Sequence, residues 1–241
     1  MKLTQKSGAI ALIFLLSISL ASCQFNGIKG SGHVITVNRN FEGGFTSIKA
    51  EKGLDVTLEQ AGQTNVSVVA DDNVEKHIRT TVNNGVLNIT CDINNFINVE
   101  SKKIVVKAPS IQSVETSSGV SFNSKNTIKG HTISLKSSSG SSINMAIESD
   151  KAFCETSSGS TMIVSGKAIE LETAASSGSS INAKKLLSND ITASASSGSS
   201  INVYPLVSLK ADASSGGNVN YHNVPKNLNK QTSSGGAITK Q

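Results

Sequence analysis

From Ser113 to the last residue, apolar and small side chains fall at odd offsets from a recurring glycine, with polar side chains between them. Seven residues before the glycines stand Ile133, Ala152, Leu171, Ile191, Leu209 and Leu228; five before stand Leu135, Cys154, Thr173, Ala193, Ala211 and, as the outlier, Lys230. Three before are Thr116, Ser137, Thr156, Ala175, Ala195, Ala213 and Thr232, and three after are Phe122, Ile143, Met162, Ile181, Ile201, Val219 and Ile238. A strand shows alternate side chains to opposite faces, so a period of two predicts strands with these columns on the buried side.

The glycines also recur. Gly119, Gly140, Gly159, Gly178, Gly198, Gly216 and Gly235 each follow Ser-Ser, at spacings of 21, 19, 19, 20, 18 and 19 residues. A period near twenty is that of a solenoid, in which one coil buries its inner face only by stacking on the next. The fold class expected is all-β: a parallel β-helix of about 19–20 residues per coil, right-handed by the rule for parallel crossovers. Glycine takes positive φ without strain, which accounts for one at each corner. Asn123, Asn144, Asn182, Asn202 and Asn220, four residues after their glycines, form a further column that reads as a stacked, structural Asn ladder.

Upstream, short β-branched runs such as Leu54–Leu58, Val86–Ile93 and Ile104–Val106 are separated by turn clusters such as Asn83-Asn84-Gly85. One helical turn fits at Val74–Arg79. The stretch Ile48–Leu58 lies on Leu135–Met145 without a gap, which makes Gly53 an early corner and the 66 residues from Gly53 to Gly119 about three irregular coils.

The N-terminus has a different pattern. Lys2 and Lys6 precede an apolar run from Ala9 to Leu20, the pattern of an export signal, and Leu20-Ala21-Ser22-Cys23, which follows, looks like a lipobox, a resemblance that implies a diacylglyceryl lipid on Cys23 with cleavage before it. The run is short of the ~20 residues that span a bilayer. The chain thus divides into a signal peptide at 1–22, a lipidated tether at 23–32 and a single β-helix domain at 33–241, with irregular coils at 33–112 and regular ones at 113–241. Two acyl chains suffice for stable anchoring, so a membrane is the first expected partner, and the expected location is the cell envelope, at its outer membrane.

Composition narrows the function classes. Without Lys2 and Lys6 the net charge falls from +5 to +3, and only Arg39 and Arg79 are arginines, with no basic run or aromatic platform for nucleic acid. Cys91 and Cys154 fall on inward positions about three coils apart, roughly 14 Å, too far for a disulfide. No cofactor or metal motif is present. The acids of the regular half are scattered over different repeat phases; Glu115, Lys136 and Glu155 alternate in sign in adjacent coils and read as a surface ion-pair series. His33, His77, His131 and His222 fall in unrelated contexts, and Phe153, Tyr204 and Tyr221 are candidates to touch a sugar ring. An enzyme is not expected.

The lipobox, Gly30-Ser31-Gly32 with Phe45-Thr46-Ser47-Ile48, the turn Asp71-Asp72-Asn73 and the repeated Gly-Ser-Ser-Ile-Asn together resemble the head GIN domain family of putative autotransporter adhesins from Bacteroidetes-type bacteria, over about residues 30–239. The resemblance implies a β-helical, surface-associated lipoprotein with an adhesive role, and supplies no catalytic residues. No transport barrel follows the repeat, so the autotransporter label is not expected to be literal. The reading is an exported, lipid-anchored binding protein for surface polysaccharide or another envelope partner. Its rivals are a structural protein self-associating through its C-terminal coil and a β-helical carbohydrate-active enzyme.

Overall fold

The computed structural model describes residues 27–41 and 43–241; the expected signal peptide and Cys23 lie outside the described residues. In chain order the elements are β1 (Ile28–Lys29), β2 (Val34–Arg39), β3 (Ser47–Ala50), β4 (Asp55–Gln60), β5 (Asn65–Asp71), one helical turn α1 (Asp72–Glu75), β6 (Ile78–Asn83), β7 (Val86–Cys91), β8 (Phe96–Ile97), β9 (Lys102–Ala108), β10 (Ser113–Thr116) and β11 (Ser121–Ser124). Longer strands follow: β12 (Ile128–Ser137), β13 (Ser142–Thr156), β14 (Thr161–Ala175), β15 (Ser180–Ala195) and β16 (Ser200–Ala213), then β17 (Asn218–Tyr221), β18 (Asn227–Thr232) and β19 (Ala237–Lys240).

From β10 onward each coil pairs in parallel with the next, in the register that the glycine columns predict: Leu135 on Cys154, Cys154 on Thr173, Ile143 on Met162. The fold is a parallel β-solenoid, as the repeat requires. Its four inward columns are buried through the coil of Gly216, and their Ala, Ser and Thr members keep the core narrow. The last coil departs from this, since all of β18 is exposed and Leu228 is 41% accessible.

The region between Gly53 and Gly119 is not three coils. β3 lies between β7 and β10, all parallel, and β4 lies between β9 and β11. The Gly53 coil therefore stacks directly on the Gly119 coil, and the chain between them builds a layer on the opposite side. That layer is finished by antiparallel pairs, β5 with β9, β2 with β5 and β6 with β7. These strands cover an edge that would otherwise be open for pairing. The expected tether is also docked from Gly27 onward: β1 pairs with β8, and Gly32 N–H donates to Asp71. By this layering Cys91 and Cys154 stand about four spacings apart, roughly 19 Å, and both are free, buried thiols.

The corners are tighter than one glycine implies. At every Ser-Ser-Gly the second serine has positive φ as well, from 47° at Ser234 to 56° at Ser118, and Lys52 does the same before Gly53. Two successive positive φ values belong to a type I′ turn, and its closing bond is present, for example from Ser141 N–H to Ser138 O at 3.1 Å. Each glycine N–H donates to the carbonyl of that second serine one coil on: Gly53 to Ser118, Gly119 to Ser139, and so to Gly216 and Ser234. Where a serine follows the glycine, at Ser141, Ser160, Ser179 and Ser199, it is buried and closes the corner from inside. Ser179 Oγ accepts from Ser176 N–H and donates to Ser176 O at 2.7 Å.

Candidate binding face and groove

Each coil contributes one strand segment before its corner and one after it. Outward residues of the segment before the corner form a flat face in register. One column reads Thr132, Lys151, Glu170, Asp190, Ser208, Asn227; the next reads Ser134, Phe153, Glu172, Thr192, Lys210, Asn229. The third begins Lys49, Glu115, Lys136, Glu155. Opposite charges meet across coils, as in Lys151–Glu170 at 2.8 Å, Lys136–Glu155 at 2.9 Å and Lys49–Glu115 at 3.6 Å. The bond from Lys136 to Glu155, with the attraction between them, raises the Lys136 pKa. These pairs are exposed and contribute little to stability, which leaves them free to exchange partners. Phe153 is 39% accessible in the middle of this face.

The predicted Asn column is real in register only in part. Asn123 lies opposite Asn144, and Asn182, Asn202 and Asn220 follow one another, but Ile163 stands between Asn144 and Asn182. Even offsets point outward, so these side chains are exposed or half-buried, and among the described residues no hydrogen bond joins one Asn to the next; Asn202 faces His222 instead, at 3.4 Å. The histidines His33, His77 and His131 each pair with an aspartate, Asp72, Asp92 and Asp150. No group of three His, Cys, Asp or Glu residues suited to a metal occurs among the described residues.

A feature that the sequence reading missed lies at the second bend of the coils, where one coil passes into the next. A groove of about 690 Å³ crosses five coils there, a length of about 19 Å. One wall follows the register Lys129, Glu148, Lys167, Leu187. Glu148 is held from both sides, by Lys129 at 3.2 Å and Lys167 at 3.1 Å, and bonding from Lys167 and then Lys129 keeps its carboxyl below the usual carboxylate range. The other wall carries the His131–Asp150 pair, then Ile169, Asn189 and Leu206. Charge therefore gathers at one end, and Ile169, Leu187 and Leu206, accessible at 50%, 44% and 39%, at the other. An exposed apolar cluster rimmed by polar groups is a common mark of a ligand groove. Between Glu148 and Asp150, Ser149 belongs to the groove lining, and its buried hydroxyl has no hydrogen-bond partner among the described residues.

At the far end, β18 and β19 have no partner on their outer edges among the described residues. Lys230, the outlier of its inward column, donates to Tyr221 Oη at 2.7 Å and lies over that ring.

A family model described as "Putative auto-transporter adhesin, head GIN domain" matches residues 44–225. No curated protein matches the chain significantly. Among solved structures, a putative adhesin of Bacteroides fragilis superposes with a TM-score of 0.82 at 18% identity, over 89% of this chain and 100% of that one. A putative adhesin of Parabacteroides merdae gives 0.71 at 17%, over 89% and 99%. A putative lipid binding protein of Parabacteroides distasonis gives 0.70 at 19%, over 90% and 100%. At such identities the likeness is one of fold.

Proposed function

The chain belongs to the head GIN domain family of putative auto-transporter adhesins, and from that premise we propose that it is an exported binding protein of the cell envelope, held by lipid on Cys23, whose flat face engages a surface polysaccharide. The observation that carries the polysaccharide is that face itself. Its registered columns of Ser, Thr, Asn, Lys and Glu repeat donors and acceptors at the coil spacing around the exposed ring of Phe153. A preformed sheet loses little conformational freedom when it binds an extended chain. Protease shaving of intact cells, with a periplasmic protein as control, tests the location, and a glycan array with wild type and Phe153→Ala tests the face. Loss of the domain from cells and weaker glycan binding by the variant are expected. A domain protected until the outer membrane is broken, or no glycan bound, would sink the adhesive reading.

The groove favours a second ligand class. Its aliphatic end suits a lipid, the class named for one solved relative. End-to-end stacking is the weaker reading, because Lys230 puts a charge where a further coil would need an apolar residue, and inward charges on an edge strand discourage pairing.

A further inference from the structure

We infer that the groove between Lys129 and Leu206 takes one single-chain amphiphile with a zwitterionic phosphate and ammonium head, the head at the Lys129 end and the acyl chain along Leu187; this rests on the lipid-like reading of the groove. The charge pattern selects the head. Lys129 and Lys167 supply two cations and Glu148 and Asp150 two anions at this end. A ligand of one sign would meet repulsion from half of these groups, whereas a phosphate beside an ammonium answers both. The lysines are two-thirds exposed and, among the described residues, paired only with Glu148 at the groove surface, where such pairs are weak enough to exchange for a ligand phosphate. Ser149 belongs to the lining of this same end, between Glu148 and Asp150, and its buried hydroxyl lacks a partner among the described residues, which is uncommon for a buried polar group.

The other end selects the tail. Ile169, Leu187 and Leu206 come from three successive coils and are aliphatic. Sugars stack on aromatic planes, and none is among the groove's lining residues, Tyr204 following Leu187 one coil further on, while a methylene chain covers branched aliphatic side chains and removes apolar surface from water. The groove's volume lies within the usual range for a small-molecule site.

The test is calorimetric titration of the full chain carrying Cys23→Ser, so that no attached lipid competes. The probe is lysophosphatidylethanolamine below its micelle concentration, compared with glycerophosphoethanolamine and with a fatty acid. One lysolipid per chain is expected, with each half-ligand bound about tenfold or more weaker. Leu187→Glu should weaken the lysolipid by at least about tenfold, since it sets an unpaired charge against the chain. Ile169→Glu gives the same reading at a second exposed position, and unchanged melting temperatures separate lost binding from lost fold. Absence of lysolipid binding, or an affinity untouched by both variants, would overturn the site. A fatty acid bound as tightly as the lysolipid would overturn the zwitterionic head. Glycan binding that survives loss of lysolipid binding would leave the adhesive reading standing, and the converse result would remove that reading alone.

Discussion

Two glycines separate conformational strain from lack of space. Gly178 sits at a corner with φ +67°, and a Cβ placed there would meet nothing within 4 Å. Its N–H bond to Ser197 O survives replacement. Gly178→Ala should therefore cost only the left-handed backbone term, about 1–2 kcal/mol. Gly166 lies inside β14 with φ +113°, and a Cβ there would overlap the carbonyl oxygen of Ile147 in the preceding coil. Backbone strain of up to about 3 kcal/mol then adds to a displacement of the coil pairing, so Gly166→Ala should cost about 4 kcal/mol. For a chain of this size each kcal/mol lowers Tm by about 2–4 °C. The expected losses are roughly 2–8 °C for Gly178→Ala and 8–16 °C for Gly166→Ala, read by thermal melting in far-ultraviolet circular dichroism. Equal losses, or a milder Gly166 variant, would refute the idea that coil-to-coil clearance decides the cost.

Burial alone would raise the pKa of Asp71, but backbone N–H groups, among them those of Gly32 and Ser101, outweigh it and hold the carboxyl below the usual range. A depressed folded pKa stabilises the fold above the unfolded value near 4 and stops doing so as pH falls through the folded one; the Tm gap between wild type and Asp71→Asn should be wide at pH 7 and close in acid, and a constant gap would contradict this. Lys230→Leu should produce concentration-dependent association in light scattering while wild type stays monomeric, and a monomeric variant would show that Lys230 does not protect that edge. Burial pushes the Cys154 thiol up to about 12, so it should resist aromatic disulfide reagents at pH 8 until the chain unfolds; rapid labelling of the native protein would place it at the surface.

The solenoid was legible because burial there depends on sequence period alone. Once Leu135 and Cys154 shared an offset from their glycines, parallel register followed. The first hundred residues gave no such guide: Ile48–Leu58 showed the corner at Gly53, but nothing local told which later strand would lie on it, and β10 lies 66 residues on from β3. The second positive-φ residue of each corner was hidden for another reason. Serine has no special preference for that conformation, whereas Asn or Gly at Ser177 would have announced the type I′ turn. Gly166 carried a readable signal, a lone glycine inside a strand pattern, but it fell outside the repeat. Offset alone makes the Asn column a ladder, and Ile163 shows that equal offset does not ensure equal residues.

The same distinction explains where the groove came from. Inward positions are constrained by both neighbouring coils, so they repeat; outward positions at the second bend touch solvent and can vary without loss of fold. In the outward column that begins Lys129, Glu148, Lys167, charge gives way to Leu187 and then Tyr204. At the same point the register shifts: Lys184, Lys185 and Leu186 have no partners in β16, and Leu206 and Val207 together stand opposite Asn189. Shortening one side of the coil while adding a residue at the bend goes with the entry of Leu206 into the groove lining, on the wall facing Leu187. If that irregularity serves a ligand, deleting Val207 to restore an even bend should leave the inward columns stacked and abolish lysolipid binding, as a titration beside a melting curve would show. Retained binding in a stably folded deletion variant would make the bulge a tolerated accident of the repeat.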